Sequence, residues 1–171
     1  MMKLKDLLRL IDAINNVVGR ILSFLLIPLM VITAIEVVSR YFFSRPTIWA
    51  WDINIQIFGI IVIFGGGFAL LHNAHVSVDV VVEHLNIRVR AFLDLITSVL
   101  FFFAYGILLW QTGLVAWESM KIKELYSTTL ALPIYVLKAL IPLAVVLLFL
   151  QGIAKFIRDL MIVLHHKTEK E

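Results

Sequence analysis

The chain has 171 residues, of which 61% are hydrophobic and 16% charged, with a formal net charge of +3. A soluble domain carries about 25% charged residues; here the charges cluster between long apolar blocks, which marks the bilayer as solvent. Cysteine is absent, which excludes disulfides, thiolate metal sites and cysteine nucleophiles, and the absence of a basic run interleaved with aromatics argues against nucleic-acid binding.

Residues 1–17 read as an amphipathic helix. Leu4, Leu7, Leu8, Ile11 and Ile14 recur at helical spacing, while Lys3, Lys5, Asp6, Arg9, Asp12 and Asn16 take the other side. That pattern suits a helix lying on the cytoplasmic membrane surface; a plain extension of the first span is the alternative. The first span follows at 18–42, with Arg20 and Arg40 near its ends. It exceeds the 7–15 residue apolar core of a signal peptide, so an uncleaved span is expected.

The second span is 53–72, free of acids and Lys or Arg. A loop at 73–90 leads to the third span, 92–117, whose centre is again uncharged. The fourth, 130–157, contains Pro133, Lys138 and Pro142 and is long enough for its first turns to sit in the interface. Residues 158–171 form a polar tail. The fold class is therefore an all-α integral membrane protein: four transmembrane helices preceded by an amphipathic interfacial helix, in one membrane domain.

Lys and Arg set the orientation. Ten lie in the N-terminal segment, the second loop and the tail, against four in the first and third loops. The richer side is predicted to be cytoplasmic, with both termini. Trp49, Trp51 and Trp117 flank the opposite side, where indole rings anchor at the membrane interface.

Glu36 is the most unusual acid, since ionisable groups at membrane depth are costly. It reads either as a proton or cation site or as an intrahelical ion pair with Arg40, four residues on; the pair is preferred because its partner is at hand. Asp52 opens the second span and suits the positive end of a helix or a subunit contact. Gly65, Gly66 and Gly67 predict a tight helix crossing, with local unwinding as the alternative. His72, His75 and His84 share the second loop with Asp79, but their spacing is poor for a metal. Lys138 reads as an anion site, an ion pair or a snorkelling side chain. No Walker loop, nucleophile elbow or zinc-protease helix occurs, so no enzyme activity and no cofactor are expected.

These residues fall in a recurring order: Glu36-x-x-x-Arg40-Tyr41, Trp49-x-x-Asp52, the glycine-rich span, His75-x-x-x-Asp79, Trp117-Glu118-Ser119, Ser127 and Leu132-Pro133. The order resembles the small membrane (Q) subunit of TRAP transporters, the tripartite ATP-independent periplasmic carriers. Asp52 stands where the family more often has Glu, which keeps the charge. The resemblance covers nearly the whole chain and implies a bacterial inner-membrane location. It also implies a large multi-span partner that carries an organic acid, such as sialic acid or a C4-dicarboxylate, coupled to sodium bound on that partner. A periplasmic substrate-binding protein completes the assembly. This chain would be the scaffold: Glu36 and Arg40 at the subunit seam, Trp49, Trp51 and Trp117 as anchors, Gly65 to Gly67 for close approach, and His75 and Asp79 ordering the cytoplasmic loop. The rival reading is a stand-alone proton-coupled exporter of small molecules that uses Glu36.

Overall fold

In a computed structural model, which describes residues 2–72, 87–128 and 130–165, the chain is four helices: α1 (Met2–Tyr41), α2 (Trp49–Leu71), α3 (Ile87–Ile122) and α4 (Ile134–His165). All four are long and apolar enough to cross a membrane. Among the described residues the sole extended pairing is an isolated bridge, Leu125 with Pro133, in the connection before α4.

The expected division between an interfacial helix at 1–17 and a span from 18 onward is not present: α1 is one helix of 40 residues. Nothing in the sequence stops it before Tyr41. Its internal proline, Pro28, lies deep in the span, where helices tolerate the lost hydrogen bond. The amphipathic segment packs part of its apolar side, Leu8 and Ile11, on protein and leaves Leu7 and Ile14 exposed. Leu8 and Ile11 form a small buried core with Ala154 of α4, flanked by Ile157 and Met161.

α4 is the central element. It packs against α3 along most of its length, against α2, and against α1 at the end where α1 begins and α4 stops, called the inner end after the expected orientation; α1 and α2 form an antiparallel hairpin. α3 leans chiefly on α4 and leaves most of its surface open. Phe102 stands edge-on to Phe149 and Phe156 of α4, at centroid distances of 5.3 and 5.8 Å. These quadrupole-favoured contacts fix the antiparallel register of the pair.

The α1–α2 crossing depends on small residues. A Cβ at Gly67 would collide with Asn15 Oδ1, and one at Gly19 would collide with the Phe68 ring. Glycine lets the backbones approach at both points. Gly66 faces Leu148 of α4 at ordinary contact distance, and Gly65 has no neighbour within 4 Å of where a Cβ would stand.

α3 ends in a Schellman cap. Lys123 takes a left-handed φ of 48°, Glu124 N–H donates to the Ser119 carbonyl at 3.1 Å, and Lys123 N–H donates to Met120 at 3.3 Å. The connection then folds back, and Tyr135 N–H at the start of α4 donates to the Glu124 carbonyl.

Candidate functional site

Polar side chains gather at two levels of the molecule, one at each end of the spans. At the end that carries the α1–α2 and α3–α4 connections, called the outer end after the expected orientation, Glu36 holds the α1–α2 turn. One carboxylate oxygen accepts from Arg40 Nε at 3.0 Å and Nη2 at 2.5 Å; the other accepts from the Thr47 backbone N–H at 2.9 Å and from the Thr47 hydroxyl. Glu36 is 16% exposed and Arg40 56%. The intrahelical pair is thus joined by an 11-residue closure to the entry of α2, whose positive end also favours the carboxylate.

Asp52, in the first turn of α2, is 4% exposed and accepts a hydrogen bond from the Thr128 hydroxyl at 2.6 Å. It borders a cleft of about 20 Å³, lined also by Gln56, Tyr126, Leu132 and Leu137. That is room for about one water molecule.

Lys138 pairs with Glu124. Its Nζ lies 2.5 Å from Glu124 Oε2, which also accepts from the Ser119 hydroxyl at 2.7 Å. Lys138 and then Ser119 hold the Glu124 carboxyl below the usual carboxylate range. Glu124 lies in the α3–α4 connection rather than in a neighbouring span, so the first turns of α4 are tied to their own loop.

Trp49, Trp51 and Trp117 lie partly or mostly exposed near the outer helix ends, and Lys121 sits 5.2 Å from the centroid of Trp117. His72 closes α2 with its ring stacked on Phe68 at 4.2 Å. His75 and Asp79 lie outside the described residues. Among the described residues, no three His, Asp or Glu side chains gather as a metal site.

The inner cluster has no counterpart in the sequence reading. Gln151 of α4 and Asn15 of α1 are each 1% exposed. Asn15 Nδ2 donates to Gln151 Oε1 at 2.8 Å and to the Ile11 carbonyl at 3.1 Å, and Gln151 Nε2 donates to Asp12 Oδ1 at 3.0 Å. Arg158 closes the set on the other Asp12 oxygen at 2.5 Å. Asp12 is therefore engaged by α4 while its side chain stays partly exposed. Lys155 reaches Asp94 of α3 at 3.4 Å, so this layer joins three helices. The available signal was Gln151, a lone amide in an apolar stretch, since a buried amide needs partners.

In both layers the ions and amides named above are paired with other groups of the same chain. The family model for the DctQ component of tripartite ATP-independent periplasmic transporters matches residues 29–161. No curated protein matches the sequence significantly. The matched stretch takes in Glu36, Arg40, Asp52, the three glycines and Lys138, and stops short of the Asp12 and Asn15 half of the inner layer. The chain belongs to the DctQ family, the small membrane component of TRAP transporters.

Proposed function

We propose that this chain is the scaffold subunit of a sodium-coupled importer of an organic acid, a carboxylate such as sialic acid or a C4-dicarboxylate. On this reading it sits in the bacterial inner membrane with both termini cytoplasmic. It fixes the large transport subunit in the bilayer and helps to dock the periplasmic binding protein. Sodium and cargo sites belong to the large subunit.

The observation that carries this reading is the pairing of the ionisable groups at the spans. Glu36 is held by Arg40 and Thr47, and Lys138 by Glu124. A carboxylate that cycles protons or cations must be free to exchange partners. One fixed by a backbone N–H, a hydroxyl and a guanidinium suits a rigid wall. Family membership supports the partners, since this component works in three-part transporters.

The test is Glu36→Ala in the assembled transporter. Recovery of the large subunit with this chain is expected to fall, while the sodium-to-substrate ratio of the complexes that do form stays unchanged. Normal recovery with lost sodium coupling would move Glu36 from scaffold to ion pathway. Proton-coupled efflux by the chain reconstituted alone would favour the exporter.

A further inference from the structure

α1 carries two stripes with the same spacing, and one of them is open. The packed stripe, Leu8, Ile11, Asn15, Val18, Leu22 and Leu25, is buried or half-buried. One position earlier in each case lie Leu7, Leu10, Ile14, Val17, Ile21 and Phe24, each between 40% and 66% exposed. Beyond Pro28 the open repeat resumes at Val31, Ile35 and Val38. Apolar residues every 3.5 positions specify a left-handed seam for a second helix.

Lipid covers part of this stripe but not all of it. α2 marks the depth of the bilayer, because Gly67 and Phe68 near its inner end meet Asn15 and Gly19 of α1. α2 ends four residues after Gly67, at Leu71, so residues 2–10 of α1 run on past its end for about 14 Å at 1.5 Å per residue. The packed hydrogen bonds of Asp12 and Asn15 with α4 hold this extension against the bundle. Leu7 and Leu10 thus stand beyond the level at which α2 ends, in register with the part of the stripe inside the span. Side chains left about half exposed along the whole stripe amount to several hundred Å², of the order of the ~800 Å² per partner that a specific interface buries.

Charge points the same way. Arg20 borders the open stripe beside Val17 and Ile21, is exposed, and has no acid partner among the described residues. Among the described acids at this end, Asp12 and Asp94 are engaged by Arg158 and Lys155, and Asp159 also has a partner. The remaining acid on this part of α1, Asp6, is about 21 Å along the axis from Arg20. A helix laid along the stripe covers the Arg20 stem, and a carboxylate on that helix level with the guanidinium compensates its lost hydration.

Resting on the scaffold reading above, we propose that this open stripe of α1 seats a long apolar helix of the large membrane subunit. That helix continues past the inner membrane face and carries an acid level with Arg20.

The experiment uses the assembled transporter in native membranes. A photo-crosslinking phenylalanine analogue replaces Leu10, Val17, Phe24 or Val31 on the stripe, or Asn16, Ser23 or Met30 off it. Adducts to the large subunit are expected from the first set at several-fold higher yield than from the second. Arg20→Glu is expected to lower recovery of the large subunit, and an acid-to-Arg change on the crosslinked helix to restore it. Equal yields from both sets, or stripe adducts only to lipid or to a second copy of this chain, overturn the proposal while leaving the scaffold reading intact. Failure of the unmodified chain to recover the large subunit overturns both.

Discussion

Glu124 shows how much one loop residue can organise. Its backbone carbonyl receives the start of α4, and its side chain holds Lys138 and Ser119. Because those partners hold its carboxyl low, the ionised form is favoured in the folded protein. The resulting stability is complete above the ordinary Glu value of about 4.3 and is lost as the pH falls through the lowered value. Thermal unfolding in detergent should therefore show wild type more stable than Glu124→Gln at pH 7, with the gap closing as the pH falls below about 4. A gap that stays constant with pH would mean that the carboxylate charge is not what holds the loop.

At the scale of helices, the glycine triplet separates into three positions with different roles. Gly67 abuts Asn15, Gly66 touches Leu148, and Gly65 is open. Gly→Ala gains about 1 kcal/mol of helix propensity where there is room. At Gly65 that gain should appear as higher stability. At Gly67 the methyl group must displace an amide anchored to Gln151 and the Ile11 carbonyl. Overpacking costs about 1–3 kcal/mol, so Gly67→Ala should be net destabilising by up to about 2 kcal/mol. Equilibrium unfolding of the two variants in mixed detergent measures the contrast, and equal effects would sink the argument.

The helices were legible in the sequence because a bilayer demands uninterrupted apolar blocks, and four such blocks were present. The Glu36–Arg40 pair was legible because it lies within one turn. Its third partner, Thr47, was not, nor were Thr128 for Asp52, Glu124 for Lys138 or Gln151 for Asp12. Those contacts cross 11, 76, 14 and 139 residues. Helical spacing alone encodes only neighbours three or four apart. The same limit explains the amphipathic N-terminal segment. Its pattern fits a lipid surface or a protein surface equally well, and only α4 reveals which face is already occupied.

For the molecule as a whole, α4 supplies the packing partner for α3 and closes the inner polar layer with α1. A chain truncated before Ile134 should keep a protected α1–α2 hairpin, with its Glu36–Thr47 closure intact, while α3 becomes sensitive to protease. Limited proteolysis in membranes reads this directly, and a protease-resistant α3 in the truncated chain would contradict it. The central position of α4 also bears on biogenesis. Chains leave the ribosome N-terminus first, so the helix on which α3 and the inner layer depend is made after the other three. Until it arrives, α3 waits in the membrane without its main partner, and Asn15 and Asp12 wait without theirs. Assembly of the four-helix unit is therefore decided only once α4 has been made and docks against the three helices before it.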